Sequence, residues 1–309
     1  LKSYSYILSL LVICFTGFTS CVDKIALPET TAPAKIHLEC ELSPPFHIKA
    51  KLSTTGDLNG NYMPTFPEDA TIRLFSQIDE EFVFKYNSDS RLYEVTNGRL
   101  RNGLKYSISA EVKDSSITSV FANTQIPGRG AIDSVEVVNV ESINSNTGPS
   151  EDLVTVKVNL DQAQGKYFRI YFDSRYATLE ENVNQSQWVY NPTLQQSKIY
   201  SVRSGGTAVH NAYHLRGALV DPEYLEDESF EVVLKTDKSS LDSREILKTL
   251  HIRVLSVTES YYRYHLSLSK QLKLEGRKAI EPVIDYTNIN NGYGFIGAFI
   301  TSSDSVIIR

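Results

Sequence analysis

The chain opens on an unbroken apolar run from Tyr6 to Phe18 and then changes, for most of its length, to short stretches that are apolar at every second position. Alternation of this kind turns one face of a strand to a core and the other to solvent. It predicts strands at Ile36 to Leu42, Phe46 to Leu52, Thr71 to Phe75, Phe82 to Tyr86, Leu104 to Val112 and Ile117 to Gln125. Gly, Asn, Asp and Pro separate these runs, as in a sandwich or barrel. Pro127-Gly128-Arg129-Gly130 is the sharpest break, and alternation restarts at Ile132. Further strands are predicted at Leu153 to Leu160, Tyr167 to Phe172, Lys198 to Val202, Phe230 to Lys235, Thr249 to Val257, Gly294 to Thr301 and Val306 to Arg309. Helical spacing stands out once. Thr258 is a candidate N-cap with Glu259 in the first turn, and Tyr261, His265, Leu268 and Leu272 then share a face that should pack on a sheet.

The pattern therefore gives a mainly β chain: an N-terminal immunoglobulin/fibronectin-like sandwich over residues 33–128, then a larger C-terminal β-rich domain over 131–309 with one helix near 258–274. The stretch Leu100 to Ala110, with Tyr106 entering a strand, resembles the tyrosine corner of fibronectin type III and related domains. There the phenol hydroxyl bonds back to the upstream backbone, so Tyr106 is assigned a structural role.

The N-terminal run is too short to span a bilayer as a helix, which takes about 20 residues, and Lys2 precedes it. That is the layout of a secretory signal, assigned to residues 1–20. Phe18-Thr19-Ser20-Cys21 resembles the lipobox cut by bacterial lipoprotein signal peptidase, with Phe18 where Leu is usual. Leu1 stands where Met is expected, which fits a non-standard start codon or a clipped terminus. Cys21 is the predicted lipidation site and residues 21–32, rich in Pro, Thr and Ala, the tether. Several acyl chains at about 0.8 kcal/mol per buried methylene would hold the protein at a membrane.

Composition narrows the class further. A chain of 309 residues with 41% hydrophobic content can bury a sizeable core. A formal charge of −6 and a pI near 5.6 argue against nucleic acid as a partner. Of three cysteines, Cys14 leaves with the signal and Cys21 carries lipid, so Cys40 has no partner within the chain. Alternation places Cys40 on the apolar face of its strand, as an inert thiol.

Candidate chemistry is sparse, and no catalytic residue or cofactor is assigned. Asp57, Asn59, Asn61 and Glu68 fall at calcium-loop positions, but Tyr62 replaces the required Gly and prolines stiffen the loop. His210 and His214, with Asp221 and Glu223 downstream, are candidate zinc ligands set against a reading as exposed loop histidines. No metal is therefore expected. Trp188 with Tyr190, and Tyr293 with Phe295, are the aromatic candidates for a ligand or partner surface, with core or turn packing as the competing readings. Gly292, Gly294 and Gly297 around the second pair suit a tight turn into a terminal strand.

Taken in order, Leu27-Pro28-Glu29 before Lys35-Ile36-His37-Leu38-Glu39, the restart Ala131-Ile132-Asp133-Ser134-Val135, the helix Tyr261-Tyr262-Arg263-Tyr264 and the ending Glu281-Pro282-Val283 through Asn288 to Gly297 resemble the Bacteroidota lipoproteins grouped as domain of unknown function 4249. Cys40, where that family tends to have a small residue, and the segment Gly165 to Asp221 depart from it. The resemblance implies an outer-membrane lipoprotein, often encoded beside a TonB-dependent transporter, and carries over no catalytic residues. Two expectations follow. The first is a non-enzymatic accessory or docking component of such a transporter, with its interface on the second domain. The second is a surface glycan-binding protein or hydrolase with a site on the loops between Gly165 and Asp221.

Overall fold

The computed structural model describes residues 34–308 apart from 45, 47, 56–63, 115, 131, 144–150, 162–166, 183–184, 191–194, 197, 204–208, 216, 222–227, 238–245 and 275–285, and gives mainly the backbone over 174–209. The N-terminal strands are β1 (Ile36–Leu42), β2 (Ile48–Thr54), β3 (Thr71–Ser76), β4 (Glu81–Val83), β5 (Lys85–Asn87), β6 (Leu92–Val95), β7 (Lys105–Glu111) and β8 (Val120–Gln125). They form the expected sandwich. β1, β2, β6 and β5 lie in one sheet, and β4, β3, β7 and β8 form the facing one. The inward residues, among them Ile36, Leu38, Leu42, Ile72, Leu74 and Ile108, are buried in one core. Each such side chain contributes roughly 1.5–3 kcal/mol by leaving water. Cys40 is buried among them, and burial pushes its thiol far above the usual range, as suits an inert sulfur. The corner forms as expected: Tyr106 is fully buried and its hydroxyl accepts the Arg101 N–H at 2.8 Å.

The C-terminal part comprises β9 (Ile132–Ile143), β10 (Glu151–Leu160), β11 (Tyr167–Asn182), β12 (Gln185–Tyr190), β13 (Gln195–Gln196), β14 (Lys198–Arg203), β15 (Val209–Ala212), β16 (Gly217–Val220), β17 (Ser229–Asp237), β18 (Ile246–Val257) and β19 (Tyr293–Ile308), with one described α-helix, α1 (Glu259–Leu274). β14, β17, β10 and β9 make a third sheet. Its apolar side meets Phe168, Ile170, Phe172, Leu250, Ile252 and Val254 in a second core.

The first core also takes Ile289, Ile296 and Ala298 from the C-terminal part, and the two parts share a sheet. One path of hydrogen-bonded strands runs β15-β16-β11-β18-β19-β1-β2-β6-β5. β19 makes the join: Tyr293 to Ala298 pair parallel to β1, and Phe299 to Ile308 pair antiparallel to β18. Alternation along this strand puts Ile296 and Ala298 in the first core and Val306 against the second, all on one face of the sheet. Phe295 points to the other face, where α1 covers Leu255 and Val257. Two runs that the sequence separates, Gly294 to Thr301 and Val306 to Arg309, are thus one strand. The intervening Ser302 to Asp304 stay in register with Ile252 to Val254.

The helix begins where predicted. The Thr258 side-chain oxygen accepts the Tyr261 N–H at 3.4 Å and the Ala298 N–H at 3.1 Å, so one cap serves both the helix and β19. Glu259 and Arg263, one turn apart, form an ion pair at 2.6 Å. Its buried face differs from the expected one in one respect. Tyr261, Tyr262, Tyr264, His265 and Ser269 are buried, whereas Leu272 is exposed.

Candidate functional site

Three segments distant in sequence meet on the outer face of the shared sheet. Alternation that buries Leu38 and Cys40 necessarily turns His37, Glu39 and Glu41 the other way. The same holds on β2 for Lys49 and Lys51, which stand directly opposite Glu41 and Glu39. Beside them β19 brings Phe295 and Phe299, and α1 brings Tyr264, His265 and Leu268. These residues, with Phe46 and Leu92, line a pocket of about 410 Å³.

Glycine makes the close approach possible. Gly294 has φ +95°, and a Cβ there would lie 2.1 Å from the Leu38 carbonyl oxygen, so no other residue fits this register. Gly292 is equally crowded, since a Cβ there would lie 2.5 Å from the Ile36 carbonyl oxygen. The Asn288 amide clamps the turn by accepting the Ile296 N–H and donating to the Ile296 carbonyl, both at 2.9 Å. The glycine pattern is therefore a turn into β19, as the sequence suggested.

Aromatic and polar contacts tie the helix to both strands. Tyr264 stacks on Phe295 at 4.0 Å between ring centroids, and its hydroxyl donates to Glu39 at 2.9 Å. His265 touches Glu41 through Nε2 at 3.2 Å and His214 through Nδ1 at 3.3 Å. A carboxylate can only accept, so His265 donates to Glu41 from Nε2, and in the neutral ring Nδ1 is then the acceptor for the His214 Nε2–H. His214 is suited to that neutral role. Burial, with His265 and Arg169 nearby, lowers its pKa to about 4. Arg169 in turn donates to the Tyr261 hydroxyl at 2.7 Å and to the Leu215 carbonyl. Burial, with Glu41 adding, raises the Tyr261 phenol despite the guanidinium. His265 packs as expected, buried against Tyr261, Tyr264 and Phe295, and is in addition the polar link between β1 and the short 3-10 turn Tyr213–Leu215.

Three of the segments that carry the resemblance converge here: β1, the tyrosine-rich start of α1, and the asparagine–glycine turn into β19. The family profile described as "Domain of unknown function (DUF4249)" matches residues 22–305. The chain belongs to the DUF4249 family. No curated protein matches it. Among solved structures, this DUF4249 protein is similar to "Biofilm associated protein - B domain", at 9% identity over 88% of this chain and 86% of that one, with a TM-score of 0.17. It is also similar to "Complete structure of manganese lipoxygenase of Gaeumannomyces graminis and partial structure of zonadhesin of Komagataella pastoris", at 12% identity over 74% of this chain and 90% of that one, again with a TM-score of 0.17. At that score neither likeness bears on fold or function.

The other sequence candidates fall elsewhere in the DUF4249 fold. Phe295 lines the pocket, whereas Tyr293 is 45% exposed with the Lys35 ammonium 5.3 Å from its ring centre. Trp188 and Tyr190 lie on β12, paired with β11 at Leu179 and Ala177, and their side chains are outside the described residues. Cys21, Asp57, Asn59, Asn61 and Glu223 are also outside them. Glu68 accepts from the Tyr86 hydroxyl at 3.4 Å. His210 sits on β15 opposite Leu219, and burial lowers its pKa, with Lys270 and Lys273 adding and Asp221 opposing. His214 turns to α1 instead. Among the described residues no three His, Cys, Asp or Glu side chains are grouped to hold a metal ion, and no helix is long and apolar enough to cross a membrane.

Sequence reasoning missed Glu39, Glu41, Lys49, Lys51 and Tyr264 as site residues. A signal was present: the polar half of two consecutive alternating strands is acidic in the first and basic in the second.

Proposed function

We propose that this protein is a lipid-anchored outer-membrane component of the Bacteroidota lipoprotein type, tethered through Cys21, which binds and does not catalyse and serves a TonB-dependent transporter. The observation that carries the reading is that the family match begins at Val22, the residue after the lipobox cysteine. A body that starts there and a Pro/Thr/Ala spacer behind it fit a module held off a membrane. The pocket fits binding, with aromatic side chains beside a few convergent polar groups.

Two measurements test this. Cys21→Ala should release the protein from membranes or leave it unprocessed, and unchanged membrane attachment would refute the anchor. A C-terminal tag on the full chain, gentle solubilisation and mass spectrometry should then recover a stoichiometric outer-membrane β-barrel. Recovery of the protein alone would refute the transporter role. Mapping the interface calls for point substitutions, because removing residues 131–309 would also strip β19 from the first sandwich.

A further inference from the structure

The polar groups of the pocket are of opposite sign, and most of them are already committed. Glu39 holds the Tyr264 hydroxyl, with His37 at 3.8 Å, and Lys49 pairs with Glu94 at 3.0 Å. His265 occupies Oε1 of Glu41. Both contacts of Glu39 fall on Oε1, so among the described residues the Lys51 ammonium and the second oxygens of Glu39 and Glu41 are left to face the pocket. Glu41 stands opposite Lys49 and Lys51 opposite Glu39, so Glu41 and Lys51 are diagonal across the β1–β2 pair. Diagonal neighbours lie about 7–8 Å apart, within reach of long side chains, yet Glu41 is engaged by His265 and not by Lys51. Phe46, Phe295, Phe299 and Leu268 supply the apolar wall beside them.

We infer that this pocket binds an α-amino acid with an apolar or aromatic side chain, its ammonium on Glu41, its carboxylate on Lys51 and its side chain against the phenylalanines. Charge complementarity selects this class. A simple anion would face two carboxylates, and a simple amine would face Lys51, whereas a zwitterion meets an opposite charge at each end. One amino acid with a charge-assisted bond of about 2.8 Å at either end covers the diagonal. A pocket of about 410 Å³ falls within the usual size of small-molecule sites. The His214–His265–Glu41 chain then acts as a positioning device, because it fixes the carboxylate that receives the ammonium.

The inference rests on reading the chain as a binding component, and its experiment is separate from that of the anchor. The full chain in mild detergent is titrated calorimetrically with phenylalanine, 3-phenylpropionate and phenethylamine. Phenylalanine should bind saturably, and each analogue, lacking one charge, should bind about tenfold more weakly or worse. Lys51→Met should abolish the preference over phenethylamine. Glu41→Gln, which keeps an acceptor for His265, should abolish the preference over 3-phenylpropionate. Equal affinity for all three compounds, preferences unchanged in both variants, or no saturation by phenylalanine at about 10 mM would overturn the assignment. Release of the Cys21→Ala chain from membranes leaves this titration unaffected, so failure of the anchor and failure of the ligand read out separately.

Discussion

The two faces of β1 make opposite use of one alternating heptapeptide. Inward, Ile36, Leu38, Cys40 and Leu42 are all buried to within 1% and belong to the hydrophobic core of the sandwich. Outward, Glu39 and Glu41 keep 31% and 41% of their side-chain surface and are engaged by hydroxyl and imidazole groups of α1. The comparison teaches that a strand's period is sufficient to build a core, whereas its polar half becomes a site only when other segments are laid against it. Here those segments come from the far end of the chain, through the parallel pairing of β19.

Substitutions on the two faces should therefore separate stability from binding. The largest effect is expected from Gly294→Ala, which forces a side chain at φ +95° into the Leu38 carbonyl. A loss of about 4 kcal/mol, read as a fall in the urea midpoint, is expected. Leu38→Ala opens a cavity on the inward face and should cost about 3 kcal/mol by the same measurement. Tyr106→Phe removes the hydroxyl that satisfies the Arg101 N–H, for about 1–2 kcal/mol. On the outward face Lys51→Met should change stability by no more than about 0.5 kcal/mol, since no ion pair is lost.

Acidity sharpens the same contrast. His214 titrates in the fold near 4 against 6.5 when free, so as pH falls the unfolded chain takes the proton first. The contribution is nil above pH 6.5, turns against the fold between 6.5 and about 4, and is constant below that. Thermal midpoints should accordingly drop across this window, and His214→Gln should flatten that part of the profile. A profile identical to the parent's would show that His214 is not held neutral.

Much of the fold was legible because alternation reports burial directly. β1, β3 and β10 appear within two residues of their predicted limits, and the Thr258 cap and the tyrosine corner form where the sequence places them. β6 was missed because Leu92 to Val95 is only four residues long and follows a turn in which Arg91 takes a positive φ. The gap expected at Ser302 to Ser305 is closed because pairing with β18 holds polar residues in a strand regardless of their propensity. The site was less legible. Aromatic residues and histidines drew attention locally, but the pocket depends on β19 lying beside β1, about 250 positions away. Nothing in a local window reports a parallel pairing between chain ends.

The most direct test of the account measures unfolding midpoint and phenylalanine affinity together in Leu38→Ala and Lys51→Met. Leu38→Ala should lower the midpoint while the folded protein keeps its affinity, and Lys51→Met should lower affinity at an unchanged midpoint. If both properties fall together in both variants, the two faces of β1 do not have separate roles and the site assignment fails.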